Sequence, residues 1–193
     1  MTLDELRIAI AEHPSNAWAK EAGYEPLYAA SAASRIAIIS QAPGRKGQET
    51  GIPWNDASGA RLRSWLDVSD DEFYDPDLFA LVPMDFYFPG KGKNGDLPPR
   101  ADFAPRWHPV LFGQLPNIRL TILVGSYAQR HYLADRAKAT LTATVMSYRD
   151  YLPDTVPLVH PSPLNVGWHL KNPWFESDVI PDLRPLVRSA LRD

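Results

Sequence analysis

A short β-branched run leads into a proline-glycine loop in Ile36-Ala37-Ile38-Ile39-Ser40-Gln41-Ala42-Pro43-Gly44, early in the chain. Near the end, Val156-Pro157-Leu158-Val159 leads in the same way into His160-Pro161-Ser162-Pro163-Leu164-Asn165. Continuous apolar runs of this kind are typical of strands that are buried on both faces of a parallel sheet. The ligand sites of such sheets lie beyond the carboxyl ends of the strands. The two loops therefore predict a binding site at one edge of the sheet, with a histidine in it.

Strands and helices alternate along the whole chain. Apolar runs predict four strands, at residues 35–40, 78–82, 120–124 and 155–159. Helical spacing and capping residues predict helices at residues 3–11, 59–66, 69–74, 101–115, 126–133, 137–149 and 173–191. Ser58 is the predicted N-cap of the second helix, and Pro181 and Pro185 are expected to kink or divide the last one. This order predicts an α/β domain with three layers, α/β/α, around a central, mainly parallel four-stranded sheet.

The composition restricts the classes of protein to which the chain can belong. It has 193 residues, of which 45% are hydrophobic, and this favours a single domain over residues 1–193. The net charge is -3, so a nucleic-acid partner requires a local positive patch. Cysteine is absent, which excludes disulfides, zinc–thiolate sites and cysteine-held iron–sulfur clusters. With an acidic start and no apolar run near the roughly 20 residues of a membrane span, we expect a cytoplasmic protein without a membrane partner.

The two loops resemble the signature motifs of the uracil-DNA glycosylase superfamily. In that family a Gly-x-x-Pro loop follows the first strand and a His-Pro-Ser-x-x-Ser/Asn loop follows the last. A third segment, Gly51-Ile52-Pro53-Trp54-Asn55-Asp56-Ala57-Ser58-Gly59, is similar to the one that carries the base-stacking aromatic residue in thermophile-type branches. The three segments have the order and spacing of the family, and the resemblance spans residues 35–191. It implies a DNA glycosylase that hydrolyses the N-glycosidic bond of uracil, or of another deaminated or damaged base, in base excision repair.

The resemblance implies a role for several residues at the base. Such an enzyme extrudes the nucleotide from the helix and holds the base in a pocket. By resemblance, His160 donates a hydrogen bond to the departing base, as a neutral ring, and Asp56 stabilises the sugar cation and orients water. These two are the predicted catalytic residues, and Trp54 is expected to stack on the base. The predicted base-binding residues are Gln41, Ala42, Trp54 and Asp85.

Other residues are predicted to bind the DNA backbone or the opened helix. Leu164 takes the place of the family's intercalating wedge. The segment from Phe88 to Arg100 is similar to a little-characterised bacterial branch of the family and carries three basic residues. The predicted DNA-binding residues are Pro43, Gly44, Ser58, Lys91, Lys93, Arg100, Ser162, Leu164 and Asn165. The predicted partner is DNA with a modified or mismatched base, bound by a monomer that holds no metal, iron–sulfur cluster or other cofactor.

The sequence departs from the family pattern at three places. Ser40 stands where the first motif begins with glycine, and Gln41 stands where the iron–sulfur branch has a catalytic glutamate. Most members place an asparagine after the second strand to read uracil, but here the strand ends in Val82-Pro83-Met84-Asp85. Asp85 can accept a hydrogen bond from a base that presents a donor. These departures leave one alternative open, an inactive module that binds damaged DNA. The acidic overall charge leaves a second, a hydrolase of free nucleosides or small metabolites.

The candidate residues also have structural interpretations that require no ligand. His160 and Asp85 can be satisfied structural residues, and Trp54 can be a packing aromatic residue in a loop. Asp56 precedes a predicted helix and can serve as its cap. Lys91 and Lys93 can be solvated charges on a loop.

Overall fold

Four parallel strands form the centre of the computed structural model, which describes residues 1–93 and 95–192. They are β1 (Ile36–Ser40), β2 (Phe79–Pro83), β5 (Leu120–Val124) and β6 (Thr155–Leu158), and their order in the sheet is β2-β1-β5-β6. All three pairings are parallel. The predicted α/β class and the four predicted strands are therefore confirmed, with bounds that differ by at most one residue.

A small hairpin lies in the segment that follows β2. Its strands are β3 (Lys91–Gly92) and β4 (Gly95–Asp96), which pair antiparallel. The sequence predicts only a long loop between residues 83 and 100, because strands of two residues leave no apolar pattern. Asn94 and Asp193 lie outside the described residues. Residues 90–95 also match Gly-x-Gly-x-x-Gly, but an antiparallel hairpin is not the strand-to-helix turn of a dinucleotide site.

Helices cover both faces of the sheet. Their bounds are α1 (Leu3–Glu12), α2 (Ala17–Glu21), α3 (Arg45–Thr50), α4 (Ala57–Leu66), α5 (Asp70–Tyr74), α6 (Phe103–Phe112), α7 (Ser126–Leu133), α8 (Leu141–Met146), α9 (Val166–Lys171) and α10 (Ile180–Leu191). Alternate residues of β1 point to opposite faces: Ile36 and Ile38 pack with side chains of α4 and α10, whereas Ala37 packs with side chains of α1 and α6. The predicted three-layer arrangement is thus present.

Several predicted helix bounds need correction. Asp56, not Ser58, is the N-cap of α4, because its carboxylate accepts the N–H of Gly59 at 2.9 Å. The predicted helix at residues 137–149 is reduced to α8 and a 3-10 turn. Helix α8 begins only at Leu141, because the Thr140 hydroxyl accepts the N–H of Ala143 and acts as the N-cap. The predicted final helix is divided: a π-helical turn spans Phe175–Val179, and α10 carries Pro181 in its first turn.

The topology brings the two motif loops together. β1 is an inner strand of the sheet and β6 an edge strand, and β5 lies between them. Because all of these strands are parallel, the loops after Ser40 and Leu158 leave the same edge. Within residues 1–93 and 95–192, no helix is long and apolar enough to cross a bilayer. The single-domain assignment, the monomeric state and the cytoplasmic location stay predictions.

Candidate active site at the carboxyl edge of the sheet

A cavity of about 490 Å³ opens at this edge of the sheet. Both motif loops, the segment around Trp54 and the β3–β4 hairpin line it. Twelve of the predicted site residues lie in its wall: Gln41, Ala42, Pro43, Gly44, Trp54, Asp56, Ser58, Lys91, His160, Ser162, Leu164 and Asn165. The volume is in the range of small-molecule pockets and holds a single nucleobase with room to spare.

His160 places its imidazole in this wall, directly after β6. Burial lowers the pKa of the ring below its usual value, and the nearby carboxylates of Asp56 and Asp96 partly oppose this shift. This lowered pKa favours the neutral form of the ring. Within the described part of the chain, the ring of His160 has no hydrogen-bond partner. A neutral ring without a protein partner keeps one N–H available for a ligand in the cavity.

Trp54 stacks on His160. The ring centroids are 5.6 Å apart and the planes meet at 26°. A base sandwiched between two rings needs about 7 Å between them, twice the optimal carbon–carbon spacing. The observed spacing therefore admits no base between the two rings as they stand. The expected proximity of these two residues is nevertheless present.

The backbone of Trp54 is held in a strained conformation. Its φ is +57°, a region that side chains other than glycine rarely occupy. The carbonyl of Trp54 accepts hydrogen bonds from the Arg63 guanidinium at 3.4 Å and from the Tyr74 hydroxyl at 3.3 Å. Gly59 is required beneath it, because a Cβ at that position would lie 1.8 Å from the Trp54 carbonyl oxygen. Residues of α4 and α5 thus hold the backbone of Trp54 in place.

Asp56 lies two residues further along, exposed at the cavity rim. One of its carboxylate oxygens accepts the N–H of Gly59 and caps α4, as the structural interpretation expects. The cap uses only one of several acceptor positions on the carboxylate. Asp56 is also close enough to His160 to affect the pKa of its ring. Capping and a role at the cavity are therefore compatible in one side chain.

The loop after β6 is tied down by its own side chains. The Asn165 amide donates to the carbonyl of His160 at 2.7 Å, and the Ser162 hydroxyl accepts the N–H of Leu164 at 3.2 Å. This contact of Asn165 orders the loop, and its predicted role in DNA binding stays a prediction. Leu164 is 85% exposed at the tip of the loop. An apolar side chain held out in this way has the form of a wedge.

The β3–β4 hairpin supplies an ion pair to the wall. Lys91 and Asp96 are 2.7 Å apart, and both line the cavity. Lys93 is exposed and lies outside the cavity wall. Of the predicted basic contacts in this segment, the structure brings Lys91 to the cavity and leaves Lys93 on the surface beside it.

Asp85 and Arg100 do not line the cavity. The Asp85 carboxylate is 1% exposed, and Arg100 binds both of its oxygens, at 2.6 and 2.8 Å. The Arg100 guanidinium also donates to the Asn16 side chain at 2.7 Å and lies over the Phe103 ring. The prediction that Asp85 reads the base and the prediction that Arg100 binds DNA are therefore corrected. Asp85 and Arg100 instead use their hydrogen-bonding groups for an ion pair with each other. This pairing agrees with the structural interpretation of Asp85.

Sequence reasoning missed several residues of the site. Asn55 lines the cavity, and its amide makes no hydrogen bond within the described residues. Its position between Trp54 and Asp56 is the signal that points to it. Asp96 was missed because the hairpin that carries it was not predicted. Arg45 and Lys46 are exposed in the first turn of α3, directly after Gly44, and add positive charge beside the cavity.

Among residues 1–93 and 95–192, no group of three or more histidine, aspartate or glutamate side chains is placed to hold a metal ion. The wall of the cavity offers an imidazole, an indole, two carboxylates and three side-chain amides. These groups suit a reaction that needs hydrogen bonds and charge stabilisation.

Comparison with known protein families gives one finding. The family model described as the uracil DNA glycosylase superfamily matches residues 27–184, which is more than half of the chain. The matched range includes all four central strands, the cavity and both motif loops.

Proposed function

The chain belongs to the uracil-DNA glycosylase superfamily, and from this premise we propose that it is a monofunctional DNA glycosylase. Membership indicates a glycosylase-type hydrolase that acts on DNA. The finer proposal is hydrolysis of the N-glycosidic bond of uracil, or of another deaminated or damaged base, in base excision repair. One observation carries it: His160 lines one cavity of base size together with Trp54 and Asp56, which lie more than 100 residues earlier in the chain.

Binding starts with extrusion of the nucleotide. Leu164, exposed on its ordered loop, enters the helix and fills the space that the base leaves. Arg45, Lys46, Lys91 and Lys93 form a local positive surface around the cavity, which a chain with a net charge of -3 requires for contact with phosphates. Hydroxyl and backbone N–H groups at Ser58, Ser162 and Gly44 provide further phosphate donors.

The base then enters the cavity and stacks on Trp54. Since the present spacing of the Trp54 and His160 rings admits no base between them, stacking on this face of Trp54 requires the indole to turn away from the imidazole. Its backbone stays fixed by Gly59, Arg63 and Tyr74. Stacking on an aromatic ring contributes about 1–3 kcal/mol per base and helps to offset the cost of extrusion.

Bond cleavage separates charge, and two residues stabilise the charges that develop. As the N-glycosidic bond breaks, negative charge develops on the base and positive charge on the sugar. The neutral ring of His160 donates its N–H to a base oxygen and stabilises the anion. The Asp56 carboxylate stabilises the sugar cation and takes a proton from the attacking water. The products are the free base and an abasic site.

A panel of damaged oligonucleotides tests the proposal. Duplex and single-stranded oligonucleotides with uracil, hypoxanthine, xanthine or a mismatch are incubated with the protein, and abasic sites are cleaved with alkali. We expect strand breaks for at least one lesion. Binding to a lesion without any product would favour the inactive DNA-binding module. Release of base from free nucleosides, insensitive to salt, would favour the small-molecule hydrolase.

A further inference from the structure

Within the described residues, Gln41 makes a single side-chain hydrogen bond, and this bond connects it to the segment that carries the hairpin. The residue follows the last residue of β1 and lines the cavity. Its amide nitrogen Nε2 donates to the backbone carbonyl of Leu97 at 3.1 Å. Leu97 comes directly after β4, and its own N–H donates to the Gly90 carbonyl at 2.9 Å. The Gln41 side chain is therefore attached to the base of the hairpin.

The hairpin has few other restraints. Its two strands consist of two residues each, and Lys91 and Gly92 are exposed. Gly90 has a φ of +102° and Gly95 a φ of +128°, values that favour glycine. Short, exposed, glycine-rich strands have little intrinsic stability. A hydrogen bond from the rigid end of β1 can therefore decide where the hairpin lies.

We propose that Gln41 is a positioning residue that holds the β3–β4 hairpin against the cavity and so keeps Asp96 in the same wall as His160. The inference rests on the proposed function for its biological meaning, but not for its geometry. It gives the glutamine at this position a role of its own, whereas the sequence alone leaves open that the residue marks lost catalysis.

The chemistry of the bond explains why glutamine, and not glutamate, suits this position. The acceptor is a carbonyl oxygen, so the partner must be a donor. A glutamate has the same length, but at neutral pH it offers only acceptors and would place negative charge against the Leu97 carbonyl. With Nε2 engaged, the remaining amide oxygen of Gln41 can accept a hydrogen bond from a ligand in the cavity.

The position of the hairpin determines which carboxylates lie near the His160 ring. Two carboxylates act on His160: Asp56, from the segment before α4, and Asp96, from β4. Lys91 pairs with Asp96 and is the cation of the hairpin that faces this group. If the hairpin moves away, His160 loses the carboxylate of Asp96 and keeps that of Asp56.

Hydrogen exchange measures the attachment directly. In Gln41→Leu the exchange of backbone amides at residues 90–93 and 95–97 is expected to be about three- to tenfold faster, since one hydrogen bond is lost. Gln41→Glu is expected to show at least the same increase. Gln114→Leu is the matched control, because the Gln114 side chain makes no hydrogen bond within the described residues and lies outside the cavity. Unchanged exchange in both Gln41 variants would overturn the inference.

A double-mutant cycle tests whether Gln41 acts through Asp96. The His160 ring is titrated by NMR in the wild type, Gln41→Leu, Asp96→Asn and the double variant. Each single variant is expected to lower the pKa of His160, and the double variant should show no further decrease. Additive shifts, or a shift in Asp96→Asn alone, would contradict a positioning role. Neither measurement requires base release, so failure of the proposed glycosylase activity and failure of this inference are distinguishable.

Discussion

Two histidines lie close to the carboxyl edge of the sheet, and they differ in the hydrogen-bond partners of their rings. His108, on α6, is 2% exposed; its Nε2 donates to the Pro83 carbonyl at 3.0 Å, and its Nδ1 accepts from the Tyr132 hydroxyl at 2.6 Å. His160 lines the cavity, and its ring has no hydrogen-bond partner within the described residues. Burial lowers the pKa of both rings, that of His108 to about 4.

The comparison shows that a lowered pKa does not by itself identify a catalytic histidine. Desolvation acts in the same direction on a satisfied core residue and on a residue that faces a ligand. The difference lies in the hydrogen-bonding capacity that remains: none for His108, and both ring nitrogens for His160. We therefore assign a structural role to the first and propose a catalytic one for the second.

Replacing His160 should have the largest effect on catalysis. In His160→Ala the rate of base release at saturating protein should fall about 10²–10³-fold, because a donor to the developing anion is lost. His108→Gln is the matched control, since glutamine can also donate to Pro83 and accept from Tyr132, and it should keep a rate near that of the wild type. Single-turnover cleavage of the best lesion in the panel measures both. Equal losses of rate in the two variants would contradict the assignment of a catalytic role to His160 and a structural role to His108.

Acid should destabilise the fold through His108. The pKa of His108 is about 4 in the folded protein and about 6.5 in the unfolded chain, so the unfolded state takes up the proton first as the pH falls. Above pH 6.5 the titration of His108 leaves the free energy of unfolding unchanged. Between pH 6.5 and 4 it lowers the free energy of unfolding by about 3 kcal/mol in all.

Urea denaturation at several pH values measures this loss. In His108→Gln the free energy of unfolding should depend less on pH over this interval. His160 and His169 contribute in the same direction in both proteins, so the difference between the two curves reports on His108. Identical curves would show that His108 does not titrate in this way.

Asp56 combines a cap with a proposed catalytic role, and two variants separate them. Asparagine is as good an N-cap as aspartate, so Asp56→Asn should keep the stability of the fold while base release falls about 10²-fold. Asp56→Ala should add a loss of about 1 kcal/mol in the free energy of unfolding. Single-turnover rates and denaturation curves give the two quantities. Full activity in Asp56→Asn would leave capping as the role of this residue.

The smallest expected effect concerns the charges beside the cavity. Lys93→Gln and Lys91→Gln should each weaken binding to lesion DNA a few-fold and lower the slope of log affinity against log salt by about one. Lys20→Gln is the control, because Lys20 lies on α2, none of whose residues lines the cavity. Fluorescence anisotropy at several salt concentrations measures the slopes. An unchanged slope in both hairpin variants would show that Lys91 and Lys93 do not contact DNA phosphates.

The sequence predicts the sheet and the meeting of its loops, but not every neighbour of the cavity. The strands are recognisable because their apolar runs are buried on both faces, and parallel pairing then brings Trp54 and His160 to one edge. Asp85 was misjudged because its partner, Arg100, lies fifteen residues later across an irregular segment. The hairpin with Asp96 was missed because glycines and charged residues carry no strand pattern. The interior is therefore easier to predict than the wall of the site.

The pH dependence of base release, measured beside the NMR titration of His160, tests the central claim most directly. The account predicts that the rate falls on the acid side with a midpoint equal to the pKa of the His160 ring, below 6.5, because the neutral ring is the active form. His160→Ala should lose that acid limb together with most of the rate. A rate that rises as the ring becomes protonated, or a wild-type profile that His160→Ala leaves unchanged, would contradict the account.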